Sequence, residues 1–319
     1  MFPRVSILIP VYKSEKYIEK CLSTVLGQTY QNLEVIIIND ATPDNSMAIV
    51  SNMLKQSSKN GITIKTIHHE KNMGIASTRN DLLDNATGDY LYFVDSDDFI
   101  AKNAIETLVD IATKTNADIV RSNYYEFKNG VASTIILPSF TSKDDLLRKH
   151  IPAWDSIEAM WQLLIRRSLT EDHHIRFAEG INASEDHLMM IKLYYYAKII
   201  TEGTKPVYYY RIDNEQSVTH VNPKAFHDSM YKAMDAAITF LKEKGVYDLY
   251  REEVLTRTFL TKQTFLLNKE NRDIDFYMDE HPECNSYYRN FNYSRSQIIL
   301  FKLAEIGQRR ILKFLTHLI

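Results

Sequence analysis

"VSILIPVYKSEKYIEKCLSTVLGQTYQNLEVIIIND", residues 5–40, decides the fold class of this 319-residue chain. Its two runs rich in Val and Ile, VSILIP and LEVIIIND, are typical of strands that are buried on both faces. Between them, SEKYIEKCLSTVLGQ places its apolar residues on one face of a helix, with Ser14 as the predicted N-cap. A strand, a helix and a second strand in this order predict a parallel pair joined by a crossover helix.

The alternation of strands and helices continues to about residue 120. ITIKTIHH, YLYFVD and ADIVRSN have the composition of buried strands, and AKNAIETLVDIATKTN has helical spacing. This pattern predicts an α/β fold with a mostly parallel central sheet flanked by helices. From about Pro138 the alternation fades, and after Pro223 the spacing is helical. We therefore predict an α/β domain over residues 1–220 and a helical C-terminal region over residues 221–319.

Composition excludes several classes of protein. A net charge of −3 gives no reason to expect nucleic acid as a partner. Two distant cysteines make neither a disulfide framework nor a zinc cluster and favour a reducing cytoplasm, with Cys21 predicted as a buried thiol. The sequence contains no evident signal peptide and no run of roughly 18 apolar residues, so we expect any membrane contact to be peripheral.

Three carboxylates follow the predicted strand YLYFVD. Asp95, Asp97 and Asp98 are separated by a single serine, and charges this close repel unless a cation or proton lies among them. In parallel sheets, ligands bind beyond the carboxyl ends of the strands. Tyr12 follows the first strand and Asp40 ends the second, so we expect these side chains to meet the acidic cluster in one crevice.

A calcium loop and a solvated turn are weaker alternatives for the acidic cluster. Asp95, Asp97 and Glu106 fall at positions 1, 3 and 12 of an EF-hand loop, but Ile100 replaces the glycine that position 6 requires. A solvated acidic turn remains the alternative for an isolated Asp-x-Asp. No glycine-rich phosphate loop follows the first strand. If phosphates bind here, a metal ion held by carboxylates must neutralise them.

Several ordered motifs resemble one enzyme family. VSILIPVYKSEKYIEKCLSTVLGQTYQNLEVIIINDATPDNS and NMGIASTRNDLLDNATGDYLYFVDSDD resemble the amino-terminal half of family 2 glycosyltransferases. MWQLLIRRSLTEDHHIRFAEGINASEDHLMM and YYYRIDNEQSVT resemble later segments of that family, so the resemblance covers about residues 4 to 220. It implies a GT-A fold, a nucleotide-sugar donor and inverting transfer that depends on Mn²⁺ or Mg²⁺.

The resemblance also implies roles for the residues that match the family motifs. The nucleotide and donor sugar would be bound by Pro10, Tyr12, Asp40, Arg79, Asp95, Asp98, Arg211 and Ser217. Metal ligands would be Asp97, Asp95 and His220. The catalytic base would be Asp186, and the acceptor would contact Trp161 and Glu185.

Simpler roles remain open for some of these residues. Glu185 and Asp186 suit the N-terminus of the following helix, where acidic side chains are stabilised by the helix dipole. Trp161 alone would be a core residue, and His220 a surface or core histidine. The chain also departs from the family pattern, with Lys13 where asparagine is usual and Asn39 in place of the first of two aspartates.

The last 25 residues form a separate feature. RSQIILFKLAEIGQRRILKFLTHLI is strongly apolar and carries five basic residues, counting Lys and Arg, against one acidic residue. A basic amphipathic segment of this kind is suited to an anionic membrane surface, so we predict peripheral membrane contact through residues 294–319. The alternative is a helix packed on the domain or on a second copy of the chain in a homodimer.

These observations favour a metal-dependent inverting glycosyltransferase. It would move a sugar from a UDP-sugar to a hydroxyl of a glycan or lipid-linked glycan in capsule, exopolysaccharide or O-antigen synthesis, in the cytoplasm at the inner face of the membrane. One alternative is a non-catalytic module that binds nucleotide sugars or glycans on the same fold. A second alternative, nucleotidyl transfer, would normally show a basic, glycine-rich phosphate loop near the start of the chain.

Overall fold

The computed structural model describes residues 2–56, 61–153, 159–214 and 223–318. The chain divides into two compact units. The first comprises Met1–Leu146, Glu158–Asn182 and Lys192–Glu215, and the second comprises Leu147–Ile157, Ala183–Ile191 and Gln216–Ile319. The second unit thus includes two short segments from the first 220 residues, and the domain boundary at residue 220 stays a prediction.

The strands of the described residues form one sheet in the first unit. They are β1 (Val5–Val11), β2 (Leu33–Asn39), β3 (Thr63–His68), β4 (Tyr90–Phe93), β5 (Phe99–Ile100), β6 (Ile119–Lys128), β7 (Val131–Ile135), β8 (Leu163–Arg166) and β9 (Ile200–Arg211). Their order is β3-β2-β1-β4-β8-β6-β9-β5, with β7 paired to β6. β3, β2, β1 and β4 are parallel neighbours, and β9 is parallel to β6. This arrangement confirms the predicted α/β fold with a mostly parallel sheet.

Burial follows the position of each strand in the sheet. β1 and β4 are buried along their whole lengths, and β2 is buried except at its last residue. β3 is the edge strand, and most of its residues are exposed or only partly buried. The prediction that β3 is a buried strand is therefore wrong, since β3 lies at the edge of the sheet and none of its residues is buried.

Helices flank the sheet in the first unit and build the second. They are α1 (Ile18–Leu26), α2 (Ser46–Gln56), α3 (Ile75–Asp84), α4 (Ala104–Thr115), α5 (Lys143–His150), α6 (Arg167–Asp172), α7 (Glu185–Tyr196), α8 (Pro223–Glu243), α9 (Arg251–Lys262), α10 (Thr264–Leu267), α11 (Ile274–Asp279), α12 (Arg295–Glu305) and α13 (Arg309–Leu318). The predicted cap of α1 is wrong, since Tyr17 is the N-cap and no side chain caps the helix. The Ser14 hydroxyl instead lies 2.5 Å from that of Ser96.

The C-terminal tail contributes to the core of the second unit. Phe301 of α12 and Leu312 of α13 are fully buried in a cluster with Phe259, Tyr277 and Cys284. Cys21 is likewise fully buried, in the first unit, as the sequence predicts. Among the described residues, no helix combines the length and the apolar character that crossing a membrane requires.

Candidate active site

The acidic loop lies at the carboxyl end of β4, where the sequence predicts it. The Val94 amide donates to the Leu8 carbonyl (3.0 Å), which continues the β1–β4 pairing into the loop. The Asp98 amide donates to the Asp95 carbonyl (3.1 Å) and closes a tight turn. Arg79 of α3 donates to Asp95 Oδ1 (3.1 Å). The turn therefore brings three carboxylates together and pairs one of them with an arginine.

Asp98 is the buried member of the acidic cluster. Its side chain accepts hydrogen bonds from the Tyr208 hydroxyl (2.8 Å) and the Arg211 amide (2.7 Å), both on β9. Burial, followed by the charges of Asp97 and Asp95, raises the pKa of Asp98 well above its ordinary value. Asp98 is 1% exposed and fixes β9 to the acidic loop, and its support of donor-sugar binding stays a prediction.

Asp97, like Asp95, is a partly exposed member of the cluster. Its Oδ2 accepts a hydrogen bond from the Asn214 side chain (2.8 Å). Burial and the neighbouring charge of Asp95 raise the pKa of Asp97. Arg211 Nε donates to the Asp97 carbonyl (3.0 Å) rather than to its carboxylate. The Asp97 carboxylate thus carries a charge that a bound cation would stabilise.

The negative charge of the acidic cluster also affects neighbouring side chains. Burial, followed by the charges of Asp98, Asp97 and Asp95, raises the pKa of the Cys21 thiol. Burial and the same acids raise the pKa of the Tyr210 hydroxyl. Arg79 is 3% exposed, and its guanidinium lies 5.9 Å from the centre of the Phe93 ring and 5.6 Å from that of Phe177, so its charge is held close to Asp95. The contact of Arg79 with a nucleotide stays a prediction.

Tyr208 supports the acidic loop in a way that can be measured. Its hydroxyl donates to Asp98 and accepts from the Asp95 amide (3.1 Å), while its ring stacks on Trp161 with centroids 4.3 Å apart. Tyr208→Phe keeps the ring and leaves both buried groups without this partner. We expect the free energy of unfolding to fall by about 1–3 kcal/mol, as measured by urea denaturation.

A matched control is available on the neighbouring strand. The Tyr92 hydroxyl of β4 is buried and has no hydrogen-bond partner among the described residues. Tyr92→Phe should therefore leave the free energy of unfolding unchanged or raise it. Equal effects of the two substitutions would show that the Tyr208 hydroxyl does not hold the loop.

Asp40 follows β2 at the same edge of the sheet and accepts several hydrogen bonds there. Its carboxylate accepts hydrogen bonds from the amides of Met73 (2.7 Å) and Gly74 (3.0 Å) and lies 2.9 Å from His69 Nδ1. Gly74 precedes α3 with φ +83°, a conformation that favours glycine. Because α3 also carries Arg79, Asp40 and Asp95 are linked through one helix, and the meeting of these side chains in one crevice stays a prediction.

The other residues of β1 and its end that were predicted near the nucleotide differ in solvent exposure. Pro10 is buried in β1 opposite Ile38 of β2, and Tyr12 is 42% exposed beyond the end of the strand. The Lys13 ammonium lies 5.2 Å from the centre of the Tyr12 ring. Tyr12 is thus accessible from solvent, and the nucleotide contacts of Tyr12 and Pro10 stay predictions.

Trp161 is enclosed by aromatic rings. Its side chain is 1% exposed and stacks on Tyr208 and Tyr210, with Tyr124 at its edge. This burial fits the core role that the sequence left open, and the acceptor contact of Trp161 stays a prediction.

The predicted base lies in the second unit. Glu185 and Asp186 occupy the first turn of α7, with Glu185 8% exposed and Asp186 partly exposed. This position suits both a helix N-terminus and a base, so the role of Asp186 and the acceptor contact of Glu185 stay predictions. Ser217 and His220 lie outside the described residues.

Three residues of this region were not predicted from the sequence. Tyr208 and Asn214 hold Asp98 and Asp97, and His69 contacts Asp40. His69 follows β3, so the same rule that singled out the ends of the other strands could have found it. Tyr208 and Asn214 carry no local signal, because their contacts span more than a hundred residues of chain.

Within the described residues, protein side chains alone form no complete metal site. Among the described residues, no three His, Cys, Asp or Glu side chains are grouped as metal ligands. Mg²⁺ in phosphate-transfer sites usually takes only one or two carboxylates, with phosphate and water completing the shell. The pair Asp95 and Asp97 fits that donor set.

Comparisons with solved structures agree with this architecture. The S. aureus TarS fragment 1–349 in complex with UDP-GlcNAc superposes with a TM-score of 0.70 at 21% identity, covering 97% of this chain and 90% of that one. A mannosyltransferase from Pyrobaculum calidifontis in complex with GDP-Man and Mn²⁺ gives a TM-score of 0.54 at 15% identity, covering 99% and 84%. The fold is that of the GT-A glycosyltransferases.

Sequence comparison narrows the class to a family. Residues 6–173 match the model described as Glycosyl transferase family 2, and the chain belongs to that family. The uncharacterized glycosyltransferase EpsJ of Bacillus subtilis is 30% identical, covering 80% of this chain and 74% of that protein. The poly(ribitol-phosphate) beta-glucosyltransferase of Bacillus spizizenii is 28% identical, covering 87% and 43%. The chain is therefore a glycosyltransferase.

Proposed function

We propose that this enzyme transfers a sugar, with inversion, from a UDP-sugar to a hydroxyl of a surface glycan. The observation that carries the proposal is the partly exposed Asp97 beside Asp95 at the carboxyl end of β4. A nucleoside diphosphate brings negative charge to this place, which carboxylates tolerate only with a cation between them. The TarS fragment that shares the fold is a UDP-GlcNAc complex, which supports a UDP-linked donor.

Mn²⁺ or Mg²⁺ is the proposed cofactor, with Asp97 as its main ligand, Asp95 beside it and His220 as a further candidate. When bound, the ion would stabilise the charge that develops on the departing diphosphate. Burial, followed by the charge of Asp95, raises the pKa of Asp97, and a bound cation would favour its ionised form. The Mn²⁺ complex of the structurally similar mannosyltransferase supports this choice of metal.

The remaining roles belong to residues of the chain itself. Asp40 would accept an N–H of the nucleobase, and Tyr12 would contact its ring. The bond from the sugar C1 to the acceptor oxygen forms as the bond from C1 to the phosphate oxygen breaks, and the diphosphate leaves with the electron pair. Asp186 would take the proton of the acceptor hydroxyl. One base and a single displacement give inversion at C1, whereas retention needs a carboxylate nucleophile on the donor face.

The proposed acceptor is a glycan or lipid-linked glycan of the bacterial surface. The Bacillus spizizenii relative is a poly(ribitol-phosphate) glucosyltransferase, which supports a cell-surface polymer as the acceptor class. Capsule, exopolysaccharide and O-antigen synthesis are the proposed settings, in the cytoplasm. A module that only binds nucleotide sugars is the competing proposal, and it requires binding without turnover.

A donor panel tests the proposal. Purified enzyme is incubated with UDP-, GDP- and TDP-sugars, Mn²⁺ or Mg²⁺ and lipid-linked glycan acceptors, and release of nucleoside diphosphate is measured. We expect release from a UDP-sugar that stops when EDTA removes the metal. Donor binding without release under every condition would favour the non-catalytic module.

We further propose that the tail contacts an anionic membrane surface through its exposed residues. The apolar side chains that α12, α13 and the turn between them leave exposed are Ile299, Ile306, Ile311 and Phe314. Lys302 and Arg310 are exposed on the same two helices, so apolar and basic groups occur together as they do in interfacial helices. Arg309 and Lys313 pair with Asp275 of α11 and contribute less to this surface.

Point substitutions are the appropriate test, because deleting the tail would remove Phe301 and Leu312 from the core. We expect replacement of Ile299, Ile306, Ile311 and Phe314 by serine to lower partitioning onto phosphatidylglycerol vesicles at least about tenfold in co-sedimentation. The control replaces Val131 and Ile136, exposed apolar residues of the first unit. Equal partitioning of both variants would rule out the tail as the contact.

A further inference from the structure

His69 lies between two carboxylates next to the proposed nucleobase site. Its Nδ1 is 2.9 Å from Asp40 Oδ1, and its Nε2 is 3.0 Å from Asp81 Oδ2 on α3. The side chain of His69 is 11% exposed and that of Asp40 is 6% exposed, whereas Asp81 is half exposed. Ionised carboxylates only accept hydrogen bonds, so the Nδ1–H tautomer of His69 donates to Asp40 Oδ1, and Asp81 lies at the opposite nitrogen of the ring.

These contacts limit what Asp40 can still bind. A carboxylate has about four acceptor positions, two on each oxygen. Asp40 Oδ1 receives the Met73 amide and His69 Nδ1, while Oδ2 receives the Gly74 amide. Among the contacts of the described residues, Oδ1 is therefore fully used and Oδ2 keeps one acceptor position.

A single acceptor position discriminates between nucleobases. Uracil presents one ring N–H, at N3, and needs one acceptor. Guanine presents N1–H and the N2 amino group side by side, and a carboxylate binds both only with a free position on each oxygen. Adenine and cytosine place a ring nitrogen lone pair beside the amino group, which a carboxylate oxygen repels.

We propose that His69 is a positioning residue that occupies Asp40 Oδ1 and thereby makes the site prefer uracil over guanine. Asp81 holds the far side of the imidazole ring and keeps Nδ1 directed at Asp40. This inference rests on the proposed function, since it assumes that Asp40 meets the nucleobase of the donor.

Nucleotide affinities of His69 variants test the inference. UDP and GDP binding are measured by isothermal titration calorimetry with Mg²⁺ for the wild type, His69→Ala and His69→Asn. We expect the wild type to bind UDP more tightly than GDP. His69→Ala frees Oδ1 and loosens the carboxylate, so its UDP affinity should fall at least about tenfold while GDP affinity stays within about threefold. His69→Asn keeps an N–H near the position of Nδ1, so its UDP affinity should stay within about threefold of wild type.

The ratio of the two affinities separates positioning from folding. A purely structural role would weaken UDP and GDP equally, and that result would overturn the inference, as would unchanged affinities in His69→Ala. His317→Ala, an exposed histidine of α13, is the control and should match the wild type in both affinities. A wild type that binds neither nucleotide would contradict the proposed function itself. A wild type that binds UDP no better than GDP would contradict only the role of His69.

Discussion

Asp97→Asn should lower kcat at least about 100-fold at saturating donor and acceptor. The amide keeps the shape of the side chain but removes the charge that we propose holds the metal ion, and loss of such charge stabilisation typically reduces turnover by about 10²–10³. The free energy of unfolding should rise or stay unchanged. Burial and the charge of Asp95 raise the pKa of Asp97, so ionised Asp97 is held at a cost that the neutral amide avoids. Diphosphate release and thermal melting of the same preparation measure both effects.

Asp110→Asn is the control for this substitution. Asp110 lies on α4, where its exposed carboxylate pairs with Lys114. The same chemical change there should leave kcat within about twofold and shift stability by no more than about 0.5 kcal/mol. Near-normal turnover of Asp97→Asn at saturating Mn²⁺ would contradict the proposed metal ligand.

Asp186→Asn should lower kcat by about 10²–10⁴ and leave donor affinity within about twofold. An amide cannot accept the proton of the acceptor hydroxyl, and general-base catalysis contributes a factor of this size. The donor contacts that we propose belong to other residues, so UDP-sugar binding should persist. Stopped-time assays of transfer and calorimetric measurement of donor affinity separate the two quantities.

A purely helix-stabilising role of Asp186 makes a different prediction. If the carboxylate only stabilises the N-terminus of α7, its loss should cost about 0.3–1 kcal/mol of stability and leave kcat nearly intact. Asp144→Asn provides the comparison, because Asp144 is an exposed acidic residue in the first turn of α5. Turnover of Asp186→Asn equal to that of Asp144→Asn would exclude Asp186 as the base.

Local sequence pattern was sufficient for the first half of the sheet. β1, β2 and β4 are short Val- and Ile-rich or aromatic runs that are buried in the structure, and a buried parallel strand requires that composition. β9 was not predicted because it contains Gly203 and Pro206 and most of its residues are exposed or only partly buried. β7 is largely exposed and carries no apolar pattern to detect.

The site was predictable where it depends on strand ends, and not where it depends on packing between distant segments. Asp40, Asp95 and Asp97 follow parallel strands, so their meeting at one sheet edge follows from topology. The burial of Asp98 and Trp161 depends on β9, which follows Asp98 by more than a hundred residues and Trp161 by about fifty. No local pattern contains that information, and the predicted ligand contacts of both residues came from the family resemblance alone.

Anomalous diffraction from crystals grown with UDP and Mn²⁺ would show whether Asp97 holds a metal ion next to the diphosphate. We expect a manganese peak about 2.1 Å from an Asp97 carboxylate oxygen, with diphosphate oxygens completing its coordination and the uracil N3 within hydrogen-bonding distance of Asp40 Oδ2. UDP bound with no manganese at Asp97, or with its base remote from Asp40, would contradict the proposed roles of these two residues.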